Sequence, residues 1–271
     1  MSSGPTPDCR IVDTHVHIYP DAVAPKVAAK IGLPSEAEHP ERLMARGIVE
    51  AQKRAGISLS VNMPVATRPE QVDGMNEWVK AMPEGIVSFA ALHPDTPDKA
   101  SVLRKIKADG FKGIKFHPEF QQFRLDDPRM LGCWEEMASL GLVAYFHAGG
   151  DRSFEPPFHT TPRDFRDFVR RFPALKVVAA HMGGYQMWYD VETDLCGESL
   201  WFDLSQIFVF GEVGQITRLI RKHGAERVLF ASDSPWHDPA EDVRAFMTLP
   251  LEARERELIL HVNAERLMGL S

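Results

Sequence analysis

The sequence predicts a closed (β/α)8 barrel, and three observations point to it. Short apolar, β-branched runs recur along the whole chain, and segments with helical spacing and charge lie between them. Several of those segments end in a glycine just before the next apolar run, at Gly56, Gly110, Gly141 and Gly224, where a left-handed C-cap turns a helix back towards a strand. Strand, helix, strand at this spacing makes parallel βαβ units, and eight such units close an α/β TIM barrel. The competing topology is an open doubly wound sheet. It needs a glycine-rich phosphate turn after the first strand, where "THVHIYP" stands instead.

The first run, "RIVDTHVHI", alternates so that Asp13, His15 and His17 share one face and Thr14 and Val16 the other. After it comes a long irregular insertion, residues 20–40, expected over the C-terminal mouth of the barrel as a lid or substrate-contacting loop. The second run is "ISLSVNMPV"; the third, "IVSFAALHP", ends at His93, which has no partner at ligand spacing and reads as core or as support for a ligand. The fourth, "FKGIKFHP", ends in Lys115 and His117, two residues apart on one face. "LVAYFHAGG" ends in His147 and "KVVAAHMGG" in His181, each followed by glycines that let a loop approach a ligand closely. "LWFDLSQ" is the seventh run, and the eighth, "RVLFASDSP", ends in Asp233. The helical stretches include "ERLMARGIVEAQKRAG", "PDKASVLRKIKADG", "RMLGCWEEMASLG" and "EVGQITRLIRKHG".

A chain of 271 residues accommodates one such barrel, and no repeat, low-complexity tract or linker divides it, so a single domain over 1–271 is expected. The net charge of −7 is spread without a basic stripe, which advertises no nucleic-acid surface. No apolar run approaches the roughly 20 residues of a membrane span, and "MSSGPTPDCR" lacks a signal peptide's apolar core. Cys9, Cys133 and Cys196 are odd in number and form no CxxC, which favours unpaired thiols in a reducing cytoplasm. A small-molecule substrate and a homodimer are the expected partners.

Strand C-termini of a parallel barrel converge on one mouth, where active sites of this fold lie. Six of the 11 histidines fall at run ends otherwise built from Val, Ile, Phe and Ala. Three to five nitrogen and carboxylate donors around an open position suit a hydrolytic zinc, manganese or iron ion. His15 and His17 share a strand face, a fifth-strand histidine can reach the same ion, and Asp233 can close the site and take a proton from water activated there. Lys115 admits two readings, a carboxylated bridge between two metals or a cation that binds substrate. His117 can bind substrate or support a ligand, and His181 can be a ligand or a general acid/base. His159, His237 and Trp188 belong to loops expected to overhang the mouth, and the sequence does not say which of Trp188, His159, Arg152 or the insertion touches the substrate.

With "DTHVH" at 13–17, "GIKFHP" at 113–118, "FHAGG" at 146–150, "AHMGG" at 180–184, "LFASDSPW" at 229–236 and "NAERLMGL" at 263–270, the chain resembles the amidohydrolase superfamily, in the amidohydrolase-related branch sometimes called amidohydrolase 2. The resemblance implies a distorted barrel holding one or two divalent ions, usually zinc. It implies His15, His17, His147 and Asp233 as metal ligands, with His181 catalytic in one-metal members and a ligand in two-metal members. Lys115 stands where some two-metal members carry a carboxylated lysine; one ion is favoured here, with Lys115 and His117 left to bind substrate. The branch contains hydrolases of amides, esters and lactones, and also non-oxidative decarboxylases of aromatic or muconate-like acids. The chain is short beside the better-known decarboxylases, which puts hydrolysis first and decarboxylation second. A nuclease of the TatD kind would carry a glutamate in place of Lys115, and a non-catalytic barrel would be expected to lack Asp233.

Overall fold

The computed structural model describes residues 10–31 and 39–270; Cys9 and residues 32–38 of the insertion lie outside them. Among the described residues nine strand segments run in parallel: β1 (Val12–Val16), β2 (Leu59–Asn62), β3 (Ile86–Ser88), β4 (Ala90–Ala91), β5 (Gly113–Phe116), β6 (Val143–Phe146), β7 (Lys176–Ala179), β8 (Trp201–Asp203) and β9 (Val228–Leu229). They form two sheets, β1-β2-β3 and β4-β5-β6-β7-β8-β9. The eight expected staves are all present, and the third is broken into β3 and β4 around Phe89. The ladder is carried across the break by Phe89 N–H donating to Asn62 O at 3.0 Å. Phe89 is buried inside the barrel, and Gly113 makes its room: a Cβ there would lie 2.4 Å from Phe89 Cε2.

The other seam closes between β1 and the segment after β9. Thr14 N–H donates to Phe230 O at 3.0 Å, Asp233 N–H to His15 O at 2.9 Å and His17 N–H to Ser234 O at 2.7 Å. These bonds bring two chemically loaded segments, one from each end of the sequence, side by side.

Alternation along the staves sorts the core. Val143 and Tyr145 of β6 point into the barrel with Val12, Val61 and Leu229, while Ala144 and Phe146 face the helices with Ile114, Phe116 and Val177. The helix Pro162–Arg171 shows how the outer layer is specified. Thr161 caps its N-terminus in a reciprocal box with Asp164, Pro162 occupies the first turn, and Phe165, Phe168 and Val169 form the buried stripe. The helix Ala45–Ala55 ends as expected at Gly56, with φ 71°.

Strict alternation fails in one place. The β1–β2 register shifts between Asp13 and Val16, and Asp13 does not join His15 and His17. Its carboxylate instead accepts from the Ser232 Oγ and, at 3.0 Å, from the Ser232 N–H. Burial pushes the Asp13 carboxyl up to about 7.

The insertion is less irregular than the sequence implied. Residues Ala24–Ile31 form a helix, and Ala24 and Ala28, one turn apart, are buried against Leu43 and Met44 beside Tyr19 and Trp236. Cys133 and Cys196 are free thiols. Among the described residues no helix is long and apolar enough to cross a membrane.

His223 shows what burial does to an imidazole in this fold. Its ring stacks on Phe202 with centroids 3.8 Å apart, Nε2 donates to Leu200 O at 3.0 Å, and Nδ1 accepts from Gly197 N–H at 3.2 Å. That pattern suits the neutral ring, and burial pushes its pKa down from 6.5 to about 4. The unfolded chain therefore binds this proton more readily, so the contribution is present above pH 6.5 and lost as pH falls towards 4. His223→Gln is expected to flatten the pH dependence of stability across that window by up to about 3 kcal/mol, read by urea unfolding at a series of pH values. An unchanged slope would contradict this.

Candidate metal centre and active site

The seam between β1 and the end of β9 places three of the expected ligands together. His15 Nε2 and His17 Nε2 lie 3.2 Å apart, and Asp233 Oδ1 is 3.4 Å from the first and 3.1 Å from the second. Asp233 takes a left-handed backbone, φ 61°, at this point, a conformation that costs a non-glycine residue of order 1 kcal/mol and is held by the seam bonds around it. Its Oδ2 accepts from Gln206 Nε2 at 3.0 Å. Its Oδ1 is buried and has no hydrogen bond of acceptable geometry, despite its closeness to both rings.

His15 is oriented from behind by a residue that the sequence reading passed over. His15 Nδ1 donates to Asp203 Oδ2 at 2.9 Å, so Nε2 carries the lone pair and faces His17 and Asp233. Tyr145 OH donates to the same oxygen at 2.6 Å. Asp203 Oδ1 accepts from the backbone N–H of His181 at 2.8 Å, from that of Ser205 at 3.0 Å, and from the Ser205 hydroxyl. Burial alone would raise this carboxyl; the hydrogen bond from His15, with the neighbouring His181 ring and the Ser205 hydroxyl, holds it below the usual carboxylate range. Asp203 ends β8 in "LWFDLSQ", at the same strand-end level as the histidines, and that position was its available signal.

Lys115 lies beside His15. Its Nζ reaches His15 Nε2 at 2.9 Å and lies 5.1 Å from the Tyr145 ring centroid. Burial pushes its pKa down to about 8.

His147 is one histidine removed from the His15, His17 and Asp233 group. Its Nδ1 lies 2.9 Å from His181 Nε2, and its Nε2 donates to Gly150 O at 2.8 Å. His181 Nδ1 lies 2.8 Å from Ser205 Oγ. The line Asp203–Ser205–His181–His147–Gly150 O has four hydrogen-bond gaps. Neutral Ser205, His181 and His147 bring three protons to them, so the line has room for one more. Burial lowers the pKa of both His147 and His181.

His117 stacks on His147, ring centroids 4.1 Å apart at 11°. Its Nδ1 accepts from Phe120 N–H at 3.4 Å, which leaves the proton on Nε2, 3.3 Å from Asp151 Oδ2. His147 Nε2 is 4.0 Å from the same oxygen and is turned to Gly150 O, so Asp151 faces two ring edges that carry N–H. Asp151 was not foreseen.

The remaining candidates are placed as follows. His93 Nδ1 accepts from Asp95 N–H at 3.1 Å within a turn. His159 pairs with the buried Glu119 at 2.6 Å, and His237 Nδ1 lies 2.8 Å from Asp242 Oδ1. Trp188 is buried, and its Nε1 supports His181 by donating to the carbonyl of that residue at 3.0 Å. The glycines after His147 and His181 bring loop against loop: a Cβ on Gly149 would lie 2.4 Å from Tyr185 N.

The donors fit a divalent cation. His15 Nε2, His17 Nε2 and Asp233 Oδ1 lie within 4.8 Å of one another, and one of them is an orphaned buried carboxylate oxygen. Burial, reinforced by the Lys115 charge, pushes His15 down to about 4 and keeps it in the neutral form that a metal requires. The family model for amidohydrolases matches residues 12–270. The chain belongs to the amidohydrolase family.

Solved structures of similar shape include two enzymes of named activity. One is the 5-carboxyvanillate decarboxylase of Sphingomonas paucimobilis, with 16% identity and a TM-score of 0.73 over 97% of this chain and 99% of that one. The other is a dihydroxybenzoic acid decarboxylase from a Polaromonas species, crystallised with manganese and the inhibitor 2-nitroresorcinol, with 18% identity and a TM-score of 0.75 over 96% and 97%. At these identities the likeness is one of fold. No curated protein matches the sequence.

In this amidohydrolase, Asp203→Asn removes the ionised acceptor that fixes His15. Metal affinity is expected to fall about 10- to 100-fold, measured by competition with a chromogenic chelator. Wild-type affinity in the variant would remove Asp203 from that role.

Proposed function

We propose that the protein is a metal-dependent, non-oxidative decarboxylase of an aromatic or similarly planar, unsaturated carboxylic acid. The observation that carries this reading is the set of aromatic rings adjoining the histidine–carboxylate cluster. On one side His117 and His147 are stacked, Phe120 lies 4.4 Å from the His117 ring, and Phe154 lies 5.0 Å from Phe120. On the other, the Trp236 ring is 6.1 Å from His17 and 6.5 Å from Tyr19. Flat rings on two sides of a histidine–carboxylate cluster suit a planar acid. The named activities of the similar structures run the same way. Chain length, which put hydrolysis first, does not separate the two reactions, because the similarity to the Sphingomonas decarboxylase covers 97% of this chain and 99% of that one.

His15, His17 and Asp233 would hold the ion. Two imidazoles and a carboxylate accept manganese, zinc or iron alike. When bound it supplies a Lewis acid for the substrate's oxygens. Lys115, beside His15, adds positive charge beneath the reacting carboxylate. The one further proton that the line through Ser205, His181 and His147 can take sits between His181 Nε2 and His147 Nδ1, and His181 delivers it. As the bond between ring carbon and carboxylate breaks, its electron pair takes that proton and CO2 leaves.

A second reading, hydrolysis of an amide, ester or lactone, is favoured by Asp233. Its nearness to the His15 and His17 rings holds its carboxyl below the usual range against the cost of burial, so it stays ionised, and its Oδ1 is free to accept a hydrogen bond from water and orient it.

The test is CO2 release by metal-loaded protein from hydroxybenzoic acids, beginning with 2,6-dihydroxybenzoate and 5-carboxyvanillate. Release that stops with chelator and falls at least roughly 100-fold in Asp233→Asn is expected. Metal-dependent opening of lactones or esters, with no CO2 from any acid, would sink the decarboxylase reading in favour of hydrolysis.

A further inference from the structure

Two loops beyond His147 and His181 are zipped together at the mouth. Tyr185 N–H donates to Ala148 O at 2.7 Å, and Gly150 N–H donates to Tyr185 O at 3.2 Å. Gly149 permits this approach with φ 82° and no Cβ to collide with Tyr185 N. The zip fixes two side chains against each other. Arg152 Nε donates to Tyr185 OH at 2.9 Å, and the guanidinium lies over the Phe210 ring, 5.2 Å from its centroid. Tyr185 meets Phe210 edge to face at 5.9 Å.

That arrangement holds the guanidinium but leaves its charge unanswered. Many arginines in this acidic chain are paired with carboxylates, as in Arg129 with Asp127, Arg170 with Glu198 and Arg218 with Glu192, though among the described residues Arg171 over the Phe172 ring is not. Among the described residues no carboxylate lies within ion-pair range of Arg152; its contacts are Tyr185 and Phe210. The neighbouring acid, Asp151, is turned inward to His117 and His147. Arg152 is exposed, and Phe210 keeps 43% of its surface accessible. Neither Nη group has a hydrogen-bond partner among the described residues, so both are available to a planar carboxylate, which arginine takes two-pronged.

The position is as informative as the charge. The Tyr185 ring lies 5.9 Å from the His181 ring, centroid to centroid, and its hydroxyl touches Arg152. The guanidinium thus stands one tyrosine ring out from His181, the proposed proton donor. We propose that Arg152, held by Tyr185 and Phe210, receives a second carboxylate of the substrate, so that the acid turned over is a dicarboxylic one whose carboxylates lie across one planar ring or conjugated chain. Which carboxylate reacts rests on the decarboxylase reading above; the recognition of the second does not.

The experiment is calorimetric titration of metal-loaded protein with benzene-1,4-dicarboxylate and with benzoate. The wild-type protein is expected to bind the dicarboxylate about tenfold more tightly or better, as a charge-assisted pair adds to a shared ring contact. Arg152→Met should bring the dicarboxylate to the level of benzoate, and Tyr185→Phe should lose part of the preference. Equal affinities in the wild-type protein, or a preference that survives Arg152→Met, would overturn the proposal. Binding is read without turnover, so the two readings fail separately. An Arg152-dependent preference with no CO2 from any acid counts against the reaction alone, and CO2 release without the preference counts against the subsite alone.

Discussion

Asp203 is a carboxylate buried at the centre of the barrel mouth and surrounded by donors from four staves. His15 arrives from β1, Tyr145 from β6, His181 from the end of β7 and Ser205 from the end of β8. An unpaired charge at such depth would cost several kcal/mol, and here its lone pairs are taken up by side-chain and backbone donors. Two consequences reach the chemistry. The His15 ring has its lone pair turned to the mouth before any ion arrives. His181 is held in a left-handed backbone, φ 58°, by a bond from its own N–H to Asp203, and Trp188 secures its carbonyl.

From that anchor the mouth divides by proton ownership. The His15, His17 and Asp233 side presents lone pairs and an orphaned oxygen, and attracts a cation. Lys115 already leans on that side, and two cations cannot share the His15 Nε2 lone pair. When an ion is held there, the Lys115 ammonium must give up that lone pair and turn to another acceptor. The His181, His147 and His117 side is rich in N–H groups and ends at Asp151, so it stores protons. Separating cation and proton donors in this way is what the proposed decarboxylation needs, one wall for a carboxylate and another to protonate carbon.

The barrel was legible in the sequence because its rhythm is a physical period, apolar runs and amphipathic segments in turn, with glycine where a helix must end. The histidines were legible because imidazoles at the ends of apolar runs have no structural reason to recur. Asp203 was harder to see, since "LWFDLSQ" reads equally as a strand running into a turn, and only packing shows that His15 lies against it. Asp13 was misplaced because alternation assumes an unbroken register, and β1 shifts. The partner of His147 depends on the path that Gly149 allows its loop, which no spacing encodes. The helix at Ala24–Ile31 was available in the spacing of Ala24 and Ala28, hidden by the prolines and small residues around it.

The claim on which the rest stands is that the β1–β9 seam holds a metal. The direct measurement is metal per chain by plasma mass spectrometry, on wild-type protein and His15→Ala purified without added metal or chelator. About one divalent ion per wild-type chain, and little in His15→Ala, is the predicted result. A wild-type protein with no ion and no uptake of added manganese or zinc, or a His15→Ala variant with undiminished metal, would contradict it.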